Sequence, residues 1–129
     1  MGESNIKPEY LKKAEQIRHD FGASDAVRDA GLTRPQNVSW ENDVSYGPYG
    51  QWNLMDIYYP ADTDGLLPAI VSVHGGGWVY GTKEVYQFYL CSLAARGFTV
   101  VNFNYRLAPE HPFPASFIIR RSHLISAAV

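Results

Sequence analysis

The sequence predicts an α/β fold: an N-terminal helix, an antiparallel hairpin, then a parallel strand-helix-strand unit. Three observations carry this expectation. Pro68-Ala69-Ile70-Val71-Ser72-Val73 and Phe98-Thr99-Val100-Val101-Asn102-Phe103 are short, nearly unbroken apolar runs rich in β-branched residues, the pattern of strands covered on both faces. Between them lies a helix-length stretch ending at Gly97, and strand-helix-strand in this spacing forms a parallel crossover. Ahead of them, two alternating segments flank the turn-forming Gly47-Pro48-Tyr49-Gly50.

Taken in order, Pro8 followed by Glu9 to Arg18 predicts an amphipathic helix, with Pro in its first turn and Tyr10, Leu11, Ala14 and Ile17 at helical spacing for docking. Asn37 to Tyr46 and Trp52 to Tyr59 alternate apolar and polar residues and pair as the hairpin. Pro60 and Ala61-Asp62-Thr63-Asp64-Gly65 end it, because Pro donates nothing to a ladder and Asp-Gly favours a turn. Lys83 to Arg96 supplies the crossover helix, with Val85, Phe88, Tyr89, Leu93 and Ala94 as its apolar members and Gly97 as its cap.

At 129 residues, 46% hydrophobic and 19% charged, the chain has the composition of one globular domain. A net charge of −2, with basic residues balanced and scattered, argues against nucleic acid or an anionic membrane as partner. The longest apolar stretches are far too short to span a bilayer. Met1 to His19 lacks the apolar run of a signal peptide, so the expected location is cytoplasmic. Cys91 is the single cysteine; no disulfide, metal site or cofactor is expected.

Chemistry concentrates at His74-Gly75-Gly76-Gly77-Trp78, directly after the first apolar strand. That is the end of a parallel sheet where ligands bind. Successive glycines free the backbone from φ restrictions and leave N–H groups uncovered by side chains, which suits donation to a developing oxyanion. A phosphate loop is the weaker reading, since neither G-x-G-x-x-G nor a Lys-Ser/Thr ending is present.

Together with Asn104-Tyr105-Arg106-Leu107-Ala108-Pro109-Glu110-His111-Pro112-Phe113-Pro114-Ala115, this loop resembles the hormone-sensitive-lipase-like branch of the α/β hydrolases, over about Asn37 to Ala115. The resemblance implies an incomplete α/β-hydrolase sheet, carboxylic-ester hydrolysis by a Ser-His-Asp triad, a small-molecule ester substrate, and no cofactor. It makes Gly75, Gly76 and Gly77 the oxyanion-hole candidates and His74 the residue bracing their loop. Trp78 and Tyr80 become candidates for the substrate pocket, with ordinary aromatic packing as the alternative. Arg106, Glu110 and Pro112 are expected to fix a loop against the sheet. The implied division is a helical cap-like segment at 1–36, the front of the hydrolase core at 37–115, and a divergent tail at 116–129.

The nucleophile is the gap in the pattern. No G-x-S-x-G occurs in the 129 residues. Ser24, in Gly22-Ala23-Ser24-Asp25-Ala26, precedes every strand, whereas a nucleophile elbow needs strand-turn-helix context. Chain order in the family puts the triad histidine downstream of the serine, so neither His111 nor His123 qualifies. The tail Ser116 to Val129 has no acidic residue and departs abruptly from the family pattern; a frameshifted or altered end on an esterase gene is the expected explanation. The expectation is therefore a chain inactive by itself, with a non-catalytic binding module and one half of a split esterase as alternatives. The strand at Ala69 to Val73 would be left with an open edge, through which the chain should self-associate.

Overall fold

The structure is a computed structural model that describes residues 5–118. Its elements in chain order are α1 (Pro8–Asp29), β1 (Val38–Ser45), β2 (Leu54–Pro60), β3 (Ala69–Val73), α2 (Gln87–Ala94) and β4 (Thr99–Phe103), with short 3-10 turns at Gly50–Asn53 and Ala115–Phe117. The strands form one sheet in the order β1-β2-β4-β3. The expected hairpin is present: β1 and β2 pair antiparallel, Val38 opposite Pro60 and Ser45 opposite Leu54. β3 and β4 pair parallel, Val71 opposite Val101 and Val73 opposite Phe103.

Two cores lie on the two faces of this sheet. Met55, Ile57, Val101 and Phe103 pack with Tyr46, Tyr105 and Leu107 on one face. Tyr58 and Val100 pack on the other against Leu90, Cys91 and Ala94 of α2. Alternation along the inner strands β2 and β4 sends neighbouring side chains to opposite cores, which is why Met55 to Tyr58 and Val100 to Phe103 are all buried.

β3 departs from its expected burial. Val71 and Val73 are each 57% exposed, because β3 is the edge of the described sheet and only its Ile70 side packs against the α2 core. Composition alone reads it as covered on both faces; its place at the edge of the described sheet agrees with the open edge expected for this strand.

α2 is shorter than the expected Lys83 to Arg96 helix. The carbonyl of Lys83 accepts from Asn102 Nδ2, and its N–H donates to Asn104 Oδ1 at 2.6 Å. Both backbone groups are thus committed to side chains of β4 and the residue beyond it, and regular helix begins only at Gln87. Its buried members are Leu90, Cys91 and Ala94, whereas Tyr89 is exposed. Gly97, at φ +103, closes the turn after α2 with its N–H on the Ala94 carbonyl at 3.0 Å.

α1 is twice the expected length and docks differently. Gly22 costs a helix interior about 1 kcal/mol, too little to break one supported by the Gln16–Asp20 hydrogen bond at 2.9 Å and the Arg28–Asp25 pair at 2.8 Å. Of its expected apolar stripe, Ala14 is buried, Leu11 and Ile17 are half-buried and Tyr10 is exposed. Phe21, outside that stripe, lies edge-on to the Tyr80 ring at 5.5 Å, and polar residues of the helix add further contacts. Among the described residues, no helix is long and apolar enough to cross a membrane.

Candidate active site

β3 ends at Val73 and the chain turns at once through His74-Gly75-Gly76-Gly77-Trp78. The turn is built from conformations that side chains resist: Gly76 at φ +136, Gly77 at φ +61, and Trp78 at φ +66. The N–H groups of Val79 and Tyr80 both donate to the Gly76 carbonyl, at 3.1 and 3.0 Å, folding the loop back on itself. Gly76 is irreplaceable for space as well as for φ, since a Cβ there would overlap the Tyr80 carbonyl. Among the described residues, the N–H groups of Gly75, Gly76 and Gly77 donate to nothing.

His74 is 3% exposed. Its ring stacks on Tyr105 with centroids 4.3 Å apart, and its carbonyl accepts the Tyr105 hydroxyl at 2.6 Å. Nδ1 lies 2.9 Å from the Gly75 carbonyl. A carbonyl only accepts, so this nitrogen carries the proton and Nε2 is the bare acceptor. Burial pulls the His74 pKa below its ordinary value, against the opposing bond to Gly75, and keeps the ring neutral at pH 7. The ring thereby fixes the Gly75–Gly76 peptide plane. In a trans peptide the next N–H points opposite to the carbonyl, so the Gly76 donor is turned away from the histidine. Gly81 makes room for this ring: a Cβ there would sit 2.7 Å from His74 Cε1 and 2.8 Å from the Gly75 carbonyl oxygen.

A cavity of about 350 Å3 opens over the glycines, walled by Phe21, Ser24 and Asp25 of α1 and by Tyr80, Val85 and Tyr86. The Tyr80 hydroxyl donates to Asp25 Oδ2 at 2.5 Å; burial, reinforced by that carboxylate, pushes its pKa up to about 12. Trp78 is half-exposed and packs against Phe117 at 4.6 Å and Tyr105 at 5.8 Å. Ser24 sits on α1 in the wall of the cavity, in helix rather than at a strand-to-helix turn.

The second motif is anchored at two places. Arg106 stacks over the Tyr49 ring at 3.8 Å, and Glu110 pairs with Arg18 of α1 at 2.7 Å. Glu110 therefore ties the loop to the helix, not to the sheet as expected. His111 lies edge-on to Trp52 at 5.8 Å. The 3-10 turn Ala115–Phe117 takes in the first residues of the divergent tail, with Ser116 Oγ donating to the Arg106 carbonyl at 2.7 Å. Residues 119–129, on which the frameshift reading mainly falls and which include His123, lie outside the described residues.

Sequence reasoning missed a buried ionic cluster at the exit of the glycine loop. Lys83 Nζ reaches Asp56 at 2.9 Å, Asp43 at 3.0 Å and Glu84 at 2.6 Å. Arg34 approaches Asp56 from the other side at 3.7 Å. The available signal was Asp56 itself, a charge inside the apolar run Leu54 to Tyr59, which demands a partner. Cys91 is fully buried, and burial pushes its thiol up to about 11. Among the described residues, no group of three His, Cys, Asp or Glu could hold a metal.

The BD-FAE family model matches residues 55–120, just over half of the chain. The chain is similar to a probable carboxylic ester hydrolase, LipM of Mycobacterium tuberculosis, at 37% identity over 86 residues, which are 64% of this chain and 20% of that one. Its fold superimposes on esterase B of Lactobacillus rhamnosis with a TM-score of 0.77 and 28% identity, covering 92% of this chain and 37% of the esterase. For brefeldin A esterase, described as a bacterial homologue of human hormone sensitive lipase, the TM-score is 0.59 and the identity 30%, over 80% of this chain and 32% of that one. The chain thus spans a fifth of the curated relative and about a third of the solved esterases. It belongs to the BD-FAE family and has the α/β-hydrolase fold over that part of their length.

Proposed function

We propose that this chain supplies the oxyanion-binding part of a carboxylic-ester hydrolase acting on small-molecule esters. The observation that carries the reading is three glycine N–H groups without partners among the described residues, at the carboxyl end of a parallel strand and lining a cavity of about 350 Å3. Gly75, Gly76 and Gly77 are the donors to the tetrahedral oxyanion, each such donor being worth about 3 kcal/mol in the transition state. His74 sets the peptide plane that aims the Gly76 N–H. Tyr80 and Trp78 bound the substrate pocket, Tyr80 from the cavity wall and Trp78 beside it. α1 supports a cap-like role for 1–36, because Phe21, Ser24 and Asp25 roof the glycines contributed by the 37–115 core.

The acyl-transfer step needs a nucleophile and a general base, and no G-x-S-x-G occurs in this sequence. Hydrolysis therefore requires a serine and histidine that these 129 residues do not supply. Among the described residues nothing pairs with the outer edge of β3, which favours that reading over a non-catalytic binding module, since a parallel strand laid there would deliver its carboxyl end beside the glycine loop. Turnover of a short-chain p-nitrophenyl ester tests it, using the chain alone and mixed with a polypeptide carrying the nucleophile and histidine of a related hydrolase. The expected result is no turnover alone and turnover on mixing. Turnover by the chain alone would overturn the assignment of the missing nucleophile, and ester binding without turnover in any mixture would favour the binding module.

The same edge carries the self-association proposal. Sedimentation velocity should show association of the wild-type chain that rises with concentration at micromolar levels. Val71→Lys with Val73→Lys, which places charge on the exposed side of β3, should shift it toward monomer. A wild-type chain that stays monomeric over that range rules the proposal out.

A further inference from the structure

Arg18, Asp25 and Arg28 recur at spacings of seven and three residues along α1, one face of the helix. Each meets the segment leaving the glycine loop. Arg18 Nε donates to the Val79 carbonyl at 3.0 Å, Asp25 accepts the Tyr80 hydroxyl, and Arg28 donates to the Val85 carbonyl. Ala14 is the one buried residue of α1, and these hydrogen bonds act beside the Phe21–Tyr80 ring contact in setting the helix's register.

Arg18 carries the largest share of them. Besides Val79, its guanidinium donates to the Ala108 carbonyl at 3.1 Å and to Glu110 Oε1 and Oε2 at 2.8 and 2.7 Å. The Ala108 N–H in turn donates to the Trp78 carbonyl at 2.9 Å. One planar fork thus joins three segments: α1, the second motif, and the two residues after the glycines. The Val79 carbonyl shares its peptide plane with the Tyr80 N–H, which closes the turn on the Gly76 carbonyl at 3.0 Å. Holding that carbonyl therefore holds the peptide that shapes the glycine loop.

We propose that Arg18 is a positioning residue for the glycine loop, holding its exit through Val79 while Glu110 and Ala108 fix the guanidinium. Its functional meaning rests on the oxyanion reading above, but its geometry does not. Only a guanidinium provides the planar fork with enough donors for these four acceptors.

Amide hydrogen exchange of the full chain tests this in wild type, Arg18→Met, Arg18→Lys and Glu110→Gln. In Arg18→Met the Val79 and Tyr80 amides should exchange roughly tenfold faster, while Ile57 and Val101 in the inner strands keep their rates. The melting temperature should change by no more than about 3 °C, as for a partly exposed pair. Arg18→Lys should behave like Arg18→Met, and Glu110→Gln, which leaves the carbonyl contacts in place, should stay within about threefold of wild type. Unchanged protection at Val79 and Tyr80 in Arg18→Met overturns the proposal, as does full rescue by lysine. Acceleration spread equally through Ile57 and Val101 also overturns it, by reducing Arg18 to a general structural contact. Ester turnover is not part of this readout, so failure of the hydrolase reading with loop-specific exchange intact would remain a distinct result.

Discussion

Gly76→Ala should destabilise the fold by about 3–5 kcal/mol and lower the melting temperature by on the order of 10 °C, measured by circular dichroism. Two costs add at this position. The backbone sits at φ +136, a conformation essentially closed to residues with a Cβ. The added carbon would also overlap the Tyr80 carbonyl, and backbone cannot step aside as a flexible side chain can. Relief requires opening the turn that Val79 and Tyr80 close on the Gly76 carbonyl, so the alanine variant should also lose protection at those two amides. Gly75→Ala is the matched control: a Cβ there meets nothing within 4 Å and its φ lies outside the left-handed region. It should cost less than about 1 kcal/mol. Equal losses from the two substitutions would mean that glycine content alone, rather than the folded-back shape at Gly76, matters to this loop.

How much of this loop could be read beforehand differs from residue to residue. Its location was legible, because a β-branched run followed by three glycines marks the carboxyl end of a strand, and the second motif fixed the family. The hairpin and the parallel β3–β4 pair were legible for the same reason: period-two alternation and apolar runs report local structure directly. Composition alone did not separate the two parallel strands: Ala69 to Val73 and Thr99 to Phe103 look equally buried, and it was the family's strand order that marked β3, the edge of the described sheet, as the one left open. The start of α2 was also hidden, since Lys83 fits a helix by propensity and is withheld from one by Asn102 and Asn104, nearly twenty or more residues away. α1 misled in the opposite sense. Its apolar spacing suggested the docking face, whereas Phe21 and the polar Arg18, Asp25 and Arg28 also make contacts, and hydrogen bonds to distant carbonyls leave no periodic trace. Trp78 was open between pocket and packing, and its ring lies against Tyr105 and Phe117.

The buried ionic cluster leads to the other large expected effect. Lys83→Met should cost about 3–5 kcal/mol, because it removes the cation and strands a carboxylate in the interior. The Lys83 and Asp56 side chains are 5% and 1% exposed. Asp56 keeps hydrogen bonds from the Asp43 N–H at 3.0 Å and the Tyr58 hydroxyl at 3.2 Å, but its charge would then face only Arg34 at 3.7 Å. Asp56→Asn, which removes the charge and nearly keeps the shape, should partly restore the Lys83→Met variant; a double-mutant cycle by denaturant unfolding measures the coupling. The pH dependence gives an independent check. Burial opposes the Lys83 ammonium, but hydrogen bonds to Glu84, Asp56 and Asp43 outweigh it and raise the pKa well above the ordinary 10.5. A raised folded-state pKa means that the stabilisation is fully present below the unfolded value and is lost as pH climbs from about 10.5 through the folded value. Between pH 7 and 10 the Lys83 contribution to wild-type stability should therefore be constant, and above that window wild type should lose stability relative to Lys83→Met. A difference between the two proteins that stays unchanged well above pH 10.5 would show that the lysine stabilises through its methylenes rather than its charge.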